Sequence, residues 1–465
     1  MPNKRERTPV EAKGRREDFR RLYKQKEEQQ VMELIEWILK DENLKAAMQA
    51  VKRNKGAAGI DKMPVEELDG YFAEHGEEIK AQIRAKQYKP QPVRRVYIPK
   101  ANGKQRPLGI PTVVDRVIQQ ATAQILSLGY ERYFSEYSYG FRPNRDCHGA
   151  IRKALEYLNE GYEWVIDLDI EKYFDTVNHD KLVSILRERI NDAPTLHLIR
   201  SFLKAGVMED GLTSPTTEGV PQGGPLSPVL SNVYLDKLDR ELEARGLHFV
   251  RYADDCNIFV KSEMAADRVM ASVTSWLERK LRLKVSATKT KVVRPTRSTF
   301  LGFTFWKDAG GWKAKPANDR KSRLMQKTRE ILCRRRAAAR PIGITFEKLN
   351  QLMRGWINYF GIGSMKGFLE KEYGPWMRHK VRVVILKQWK RPKTIYKNLQ
   401  KLNRYGKCNF KEEDIFKVAN SRLGWYRRCS GDVVNYTLSP KVLGTKTKDR
   451  PGLVDPLAYY LARCT

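Results

Sequence analysis

One short segment constrains the fold of this chain more than any other: residues 249–260, which read F-V-R-Y-A-D-D-C-N-I-F-V. Two adjacent carboxylates, Asp254 and Asp255, lie between two apolar, β-prone runs, which predicts a hairpin with an acidic pair at its tip. Ionised carboxylates side by side repel each other, and burying them without a partner is costly. A cation such as Mg²⁺ would relieve this repulsion. The alternative is an acidic turn on a solvated edge, since Asp is common in turns.

A second acidic segment favours the metal interpretation. Residues 164–170, W-V-I-D-L-D-I, alternate apolar and acidic residues as a strand does, and Asp169 falls at the end of this run. If the two strands are neighbours, Asp169 and Asp254 converge on one face. Two carboxylates that hold two divalent ions are what in-line phosphoryl transfer needs. One ion activates the attacking 3′-hydroxyl and the other neutralises the leaving pyrophosphate.

The order of motifs resembles that of a reverse transcriptase, in particular the bacterial group II intron-encoded reverse transcriptase/maturase family. The likeness covers most of the chain from about residue 40 onward. The blocks that carry it are V-Y-I-P-K-A-N-G-K-Q-R-P-L-G-I-P-T-V-V-D-R at 96–116, S-Y-G-F-R-P-N-R at 138–145, D-L-D-I-E-K-Y-F-D-T-V-N-H at 167–179, E-G-V-P-Q-G-G-P-L-S-P-V-L-S-N at 218–232, Y-A-D-D at 252–255, F-L-G-F at 300–303 and R-G-W-I-N-Y-F at 354–360. The resemblance implies an α+β right-hand polymerase: fingers and a palm with an antiparallel sheet, a helical thumb and a small basic C-terminal domain.

We expect four regions along the chain. They are a basic N-terminal arm at 1–30, fingers and palm with an N-terminal extension at 31–310, a thumb or maturase domain at 311–392, and a DNA-binding domain at 393–465. Apolar periodicity predicts a helix from Val31 to Lys52 in the extension. Many family members end in a zinc-bearing H-N-H endonuclease, and this sequence stops without one, as in the class C branch. None of the six cysteines forms a C-x-x-C pair, so we expect no zinc.

The charge of the chain indicates a polyanionic partner. The formal net charge is +33, which points to nucleic acid, although a soluble basic protein is the plainer alternative. Residues 311–465 hold 36 Lys and Arg against 11 Asp and Glu, a net of +25 (36 − 11), which leaves +8 (33 − 25) for residues 1–310. No apolar run is long enough to span a membrane. We therefore expect a bacterial cytoplasmic protein that associates with nucleic acid and not with membranes.

The resemblance implies the composition of the metal site. Asp169, Asp254 and Asp255, with the backbone carbonyl of Ile170, would hold two Mg²⁺ ions, for which Mn²⁺ is a possible substitute. In the family, a lysine in the motif that follows the Y-x-D-D hairpin along the chain is thought to protonate the leaving pyrophosphate. Lys289 in S-A-T-K-T-K-V fits this role, the nearby lysine at 291 is its rival, and a solvated surface lysine is the alternative.

The resemblance also implies a site for the incoming nucleotide. Lys100 and Arg106 flank a tight turn and match residues that grip the triphosphate, although a solvated basic hairpin is the alternative. Phe174 matches an aromatic steric gate that leaves no room for a ribose 2′-hydroxyl; otherwise it is a core residue. Gln222 and Gly223 match a pair that packs by the nascent base pair, or they belong to a structural junction in which Ser227 caps the following helix.

The last implied contacts involve the primer and the RNA. The primer grip is expected at Phe300, Leu301 and Gly302, and RNA binding at Arg334, Arg335 and Arg336.

The implied function is RNA-directed DNA synthesis by an intron-encoded protein that also promotes splicing and retrohoming. Its partners would be the group II intron RNA, an RNA template, a DNA primer or target, and dNTPs. Two alternatives remain: a reverse transcriptase outside introns, in phage defence or CRISPR adaptation, and a non-catalytic RNA-binding splicing factor. The block at 354–360 argues against the first, and the intact acidic triad argues against the second.

Overall fold

The structure is a computed structural model, and it describes residues 33–99, 103, 105–209, 211–447 and 450–464. The arm expected at 1–30 lies outside the described residues. In the described part, strands β1 to β10 run Val93–Pro99, Gln105–Ile110, Trp164–Asp169, Val207–Glu209, Leu212–Ser214, His248–Tyr252, Asp255–Val260, Lys291–Val293, Phe303–Asp308 and Gly311–Pro316.

The helices of the described part surround three sheets. Their bounds are Leu34–Leu39, Asp41–Asn54, Leu68–Arg84, Val113–Glu131, Cys147–Asn159, Tyr173–Thr176, His179–Arg187, Ala193–Lys204, Ser227–Ala244, Glu263–Trp276, Asn318–Ile331, Arg334–Ala338, Ile342–Phe360, Gly374–Trp389, Pro392–Gly406, Glu412–Ala419, Trp425–Arg428, Asp432–Thr437, Pro440–Gly444 and Pro456–Cys464. Short 3₁₀ turns at Val65–Glu67 and Pro295–Arg297 and π turns at Leu277–Leu281 and Phe368–Tyr373 complete them. Within the described ranges, no helix has the length and apolar character needed to cross a membrane.

The central sheet has the order β6-β7-β3-β8, and every pair in it is antiparallel. This is the arrangement expected for a palm. Leu168 on one face packs in a core with helices Ser227–Ala244 and Glu263–Trp276, while Val165 on the other face packs with helix Cys147–Asn159. Because both faces are covered, the sheet holds its strand ends in fixed positions.

The second sheet has the order β2-β1-β4-β5 and forms the fingers. Two antiparallel hairpins are joined by a short parallel pairing of β1 with β4. The single helix predicted in the N-terminal extension is instead two helices, Leu34–Leu39 and Asp41–Asn54, because Lys40 between them has extended dihedral angles (φ −58°, ψ 136°). Both helices pack against Val113–Glu131.

A third sheet, the β9–β10 hairpin, joins the palm to the thumb. Its strands pair from Phe303 opposite Pro316 to Asp308 opposite Gly311, so the boundary expected between residues 310 and 311 falls in its turn. The hairpin packs on the palm helix Cys147–Asn159. The packing therefore runs without a break from palm to thumb.

The thumb is helical, as expected, but the C-terminal region is only partly separate from it. Helices Pro392–Gly406 and Glu412–Ala419 share a small core of their own with Val433. The last helix, Pro456–Cys464, instead returns to pack on the thumb helix Ile342–Phe360. The region expected to bind DNA thus contains a small separate core and a segment that belongs structurally to the thumb.

Candidate active site

The predicted hairpin forms between β6 and β7, with Ala253 and Asp254 in its turn. Asp255 opens β7 and lies directly opposite Asp169, the last residue of β3. The neighbouring strands thus bring the three carboxylates to one end of the palm sheet. Ala253 has a φ of +59°, a left-handed conformation that costs a non-glycine residue about 1–3 kcal/mol. The surrounding structure must hold the turn in this conformation.

The two carboxyl groups of the turn have raised pKa values. Loss of hydration is the largest cause of the raised pKa of Asp254; the negative charge of Asp169 adds to it, and the positive charge of Arg106 opposes it. Asp255 is open to the solvent of the cleft, yet enclosure by surrounding protein and the charges of Asp254, Asp167 and Asp169 raise its pKa to about 7. The charges of Arg106 and Lys289 therefore compensate the negative charge of the site only in part.

This donor set fits a hard divalent cation, which prefers carboxylate and carbonyl oxygens. Within the described ranges, however, no three His, Cys, Asp or Glu side chains are arranged so that they could hold an ion together. Both oxygens of Asp169 are instead bonded to Lys289, whose Nζ lies 3.0 Å from Oδ1 and 3.1 Å from Oδ2. Metal binding would require this ammonium to release at least one of the oxygens.

The geometry separates the two rival lysines. Lys289 contacts Asp169, whereas Lys291 on β8 lies 3.6 Å from Asp167. Asp167 also accepts hydrogen bonds from the Ser298 hydroxyl (2.6 Å) and the Asn257 amide (2.9 Å). Lys291 therefore belongs to a polar cluster behind the acidic site, and Lys289 is the lysine beside it.

Ile170 directly follows Asp169 in the chain. Ile170 is part of an isolated antiparallel bridge. The hydrogen bonds that flank it run from the Ser286 amide to the Asp169 carbonyl (2.9 Å) and from the Glu171 amide to the Lys284 carbonyl (2.9 Å). Neither bond uses the Ile170 carbonyl, which suits the metal-ligand role expected for it.

Two of the expected nucleotide-binding side chains touch each other. The Nε of Arg106 on β2 donates to Oε1 of Gln222 at 2.9 Å. The amide of Gln222 lies 3.4 Å from Oδ1 of Asp175, the residue that follows Phe174. These contacts connect Arg106 on β2 with Gln222 and Asp175, and the charge of Arg106 also acts on Asp254. Lys100 lies outside the described residues.

The loop that carries Gln222 is pressed closely against β2. The Gly109 amide donates to the Gln222 carbonyl at 2.7 Å. Gly223 has a φ of +125°, and a Cβ added there would lie only 2.5 Å from the Gly109 carbonyl oxygen. The cap predicted for the following helix is wrong: Ser227 is its first residue, and its hydroxyl donates to the Pro221 carbonyl at 2.6 Å instead of capping.

Phe174 lies on a short helix between this loop and β3. Its side chain is half-buried, and its ring centroid is 5.2 Å from that of Tyr173 in an edge-on contact. Its carbonyl accepts a hydrogen bond from the Val220 amide at 2.6 Å. Phe174 is therefore fixed beside the Gln222 loop and retains an accessible ring surface.

The three residues expected to grip the primer differ in exposure. Phe300 is fully buried in the core, so its side chain supports the segment from within. Leu301 and Gly302 have positive φ values of +51° and +81° and form the turn that follows. The Tyr359 hydroxyl of the thumb donates to the Leu301 carbonyl at 2.9 Å. Of the three, Leu301 is partly exposed, whereas Gly302 is buried like Phe300.

Leu301 and Gly302 line a cleft of about 700 Å³ between palm and thumb. Asp255 also lines it, together with three cations, Arg320, Arg323 and Lys327. Sequence reasoning missed these three cations, although their spacing of three and four residues places them on one face of helix Asn318–Ile331. They line the cleft next to the acidic site.

Arg334, Arg335 and Arg336 are exposed on the five-residue helix Arg334–Ala338. They are not among the residues that line the cleft between palm and thumb. A role in RNA binding would therefore use a surface distinct from this cleft.

Comparison with known families divides the chain in agreement with this geometry. Residues 98–305 match the reverse transcriptase (RNA-dependent DNA polymerase) family. Residues 321–406 match the maturase-specific domain of group II introns. The acidic site falls in the first match, and the exposed arginines at 334–336 fall in the second.

Individual relatives cover different shares of the chain. Protein YkfC of Escherichia coli (strain K12) is 34% identical over 302 residues, which are 56% of this chain and 79% of that protein. The group II intron-encoded protein LtrA of Lactococcus lactis subsp. cremoris is 40% identical over 208 residues, 44% of this chain and 34% of that protein. The putative COX1/OXI3 intron 2 protein of Saccharomyces cerevisiae is 34% identical over 228 residues, 49% of this chain and 26% of that protein.

The chain therefore spans well under two thirds of the length of the two intron-encoded relatives. Among solved structures, a chain of the Partial Cas6-RT-Cas1--Cas2 complex aligns with 54% of this chain and 43% of its own length, at 23% identity and a TM-score of 0.34.

Proposed function

The chain belongs to the group II intron-encoded reverse transcriptases and maturases, and on that premise we propose that it copies RNA into DNA at the acidic end of its palm sheet and binds the intron RNA that it helps to splice. One observation carries the proposal. Asp169 and Asp255 lie directly opposite each other at the ends of paired strands, with Asp254 in the adjoining turn. The match to a maturase-specific domain favours an intron-encoded role over a reverse transcriptase outside introns.

Reverse transcriptase domains generally use divalent metal ions, and we assign them here to Asp169 and Asp254, with Asp255 and the Ile170 carbonyl as further ligands. Mg²⁺ is the expected ion and Mn²⁺ a substitute. When bound, the ions supply positive charge that favours ionisation of the primer 3′-hydroxyl and departure of pyrophosphate. Lys289, once displaced from Asp169, would give a proton to that leaving group, and such general-acid help is typically worth about 10²–10⁴-fold.

The fingers and the Gln222 loop are proposed to hold the incoming dNTP. Arg106, with Lys100, would bind the triphosphate, since a guanidinium can bond phosphate oxygens in pairs. Gln222 and Gly223 would pack by the nascent base pair. The ring of Phe174 would exclude a ribose 2′-hydroxyl and so favour dNTPs over rNTPs.

Nucleic acid is proposed to lie along the basic thumb and C-terminal region. Residues 311–465 carry a net charge of +25, and such charge is neutralised by phosphates with release of counterions. Leu301 and Gly302 would contact the primer, and Arg334–Arg336 the intron RNA. The region 393–465 would bind the DNA target during retrohoming, and the protein would act in the bacterial cytoplasm.

Replacing one carboxylate tests the proposal. Asp254→Asn should abolish primer extension on an RNA template while leaving RNA binding nearly intact, because the lost metal charge is worth several kcal/mol at the transition state. Asp308→Asn is a matched control: it breaks an exposed pair with Lys313 (2.6 Å) that contributes little. Near-normal DNA synthesis by Asp254→Asn would contradict the assignment.

Two further outcomes separate the alternatives. A wild-type protein that promotes splicing but makes no DNA would be a non-catalytic splicing factor. A wild-type protein that makes DNA but binds its intron RNA no better than unrelated RNA would be a reverse transcriptase outside introns.

A further inference from the structure

A buried ion pair lies directly beneath the catalytic turn, on the face of the palm sheet opposite the carboxylates. Arg251 on β6 and Asp239 in helix Ser227–Ala244 both have side chains that are 0% exposed. Nε of Arg251 donates to Oδ1 of Asp239 at 2.7 Å, and Nη2 donates to Oδ2 at 2.5 Å. Such a two-point contact fixes the plane of the guanidinium as well as its position.

The remaining nitrogen of this guanidinium reaches the turn itself. Nη1 of Arg251 donates to the carbonyl of Ala253 at 2.9 Å and to Oδ1 of Asn232 at 3.1 Å. Ala253 is the residue with a left-handed conformation, immediately before Asp254. The ion pair is therefore connected by a hydrogen bond to the strained residue on which the direction of Asp254 depends.

A second contact holds the same turn from another side. A Cβ added at Gly140 would lie 2.4 Å from the amide nitrogen of Ala253, so the two backbones are in close contact. Nδ2 of Asn232 donates to the Gly140 carbonyl at 2.8 Å. Asn232 thus links Gly140 to Arg251, and the turn is enclosed between two parts of one buried network.

We propose that Arg251, Asp239 and Asn232 are positioning residues that hold the Ala253–Asp254 turn in its left-handed conformation and so keep Asp254 in place for metal binding. The inference rests on the proposed function and deepens it. Stability alone does not require the pair, because well-packed apolar residues often replace a buried ion pair with no loss of stability. What apolar residues could not supply is the donor to the Ala253 carbonyl.

That difference defines the experiment. In the double variant Arg251→Met/Asp239→Leu, both charges are removed and the volume is largely kept, so no buried charge is left without a partner. Because the Ala253 carbonyl and Oδ1 of Asn232 lose their donor, we expect a fall in melting temperature no larger than that of the Arg382 control described below. Mn²⁺ affinity, measured by electron paramagnetic resonance without nucleic acid or dNTP, should weaken by about 10-fold or more. The kcat for primer extension should fall by about 10²-fold with little change in KM.

A buried arginine elsewhere provides the control. Arg382 in the thumb donates to Asn435 and to the Leu438 carbonyl, so Arg382→Met should lower stability and leave Mn²⁺ affinity unchanged. If the double variant does not fold, Asn232→Ala keeps the Arg251–Asp239 pair and removes both links made by Asn232. Asn232→Ala should weaken Mn²⁺ binding and lower kcat, as expected for the double variant.

A folded variant of either kind with wild-type Mn²⁺ affinity and wild-type kcat would overturn the inference. Failure of the proposed function is distinguishable, because the wild type would then make no DNA and its Mn²⁺ binding would not respond to Asp254→Asn.

Discussion

Adding one methyl group at Gly223 tests the proposed nucleotide site with little other change. A Cβ there would lie 2.5 Å from the Gly109 carbonyl oxygen, whereas ordinary contact begins at 3.4 Å. The loop or β2 must therefore shift by about 0.9 Å (3.4 − 2.5). The obstructing atom is backbone, so no side-chain rotation relieves the contact. The shift would displace Gln222, because its carbonyl accepts a hydrogen bond from the Gly109 amide at 2.7 Å.

Two effects of Gly223→Ala are expected, and they differ in size and in assay. An alanine at a φ of +125° costs about 1–3 kcal/mol of stability. Misplacement of a substrate-positioning residue by about 1 Å costs about 10²-fold in rate. At 1.36 kcal/mol per factor of ten, that corresponds to about 2.7 kcal/mol in the activation free energy. We therefore expect kcat/KM for single-nucleotide incorporation to fall by about 10²-fold.

Gly161 supplies the matched control. Its φ is +90°, and an added Cβ there would meet no atom within 4 Å. Gly161→Ala therefore carries the same cost of a positive φ but causes no steric clash. We expect the stability of this variant to fall while its kcat/KM stays at the wild-type value. A Gly223→Ala protein with wild-type kcat/KM would refute the assignment of this loop to the nucleotide site.

Three other variants or conditions test separate parts of the proposal. Phe174→Ala should admit rNTPs more readily, seen as a lower ratio of kcat/KM for dNTP over rNTP; an unchanged ratio would make Phe174 a core residue only. The pKa of Asp255 is raised in the folded state to about 7 from its ordinary value of 3.8. Between these values the folded state binds more protons than the unfolded state, so the free energy of unfolding of the metal-free protein should fall as the pH rises from about 4 to about 7. Mg²⁺ should then raise the melting temperature more at pH 8 than at pH 5, and an equal rise would count against metal binding here. Charge reversal at Arg334, Arg335 and Arg336 should flatten the salt dependence of RNA binding by about 0.7–0.9 in log–log slope for each phosphate that is no longer neutralised; an unchanged slope would exclude these arginines as phosphate ligands.

The palm was predictable because its sequence pattern is local and strong. The alternation in W-V-I-D-L-D indicated β3, and the apolar runs on either side of Asp254 and Asp255 indicated the β6–β7 hairpin. The acidic residues supported only a conditional expectation, that Asp169 and Asp254 converge on one face if their strands are neighbours. The pairing of Asp169 with Asp255 agrees with that expectation.

Other features depend on contacts that residue spacing does not encode. Ser227 was a reasonable helix cap by type, but its hydroxyl is taken by the Pro221 carbonyl six residues earlier. The cations at 320, 323 and 327 look like any solvated helix face until the thumb folds over the palm. The buried pair of Arg251 with Asp239 requires the docking of helix Ser227–Ala244 beneath β6, which no local pattern reveals.

The thumb and the palm share one hydrophobic core, and this determines how RNA binding must be measured. The Tyr359 hydroxyl of the maturase segment donates to the Leu301 carbonyl at 2.9 Å, and its ring stacks on Phe303 at 5.8 Å. The Tyr359 carbonyl is 2.7 Å from Nε2 of His148 in the palm. A fragment that begins at residue 311 would lack all three of these interactions, together with β9, the pairing partner of β10. Such a fragment would bind RNA through its net charge even if it were unfolded. A salt dependence assigned to the folded thumb must therefore be measured in the full chain, where Tyr359 still joins the thumb to the palm.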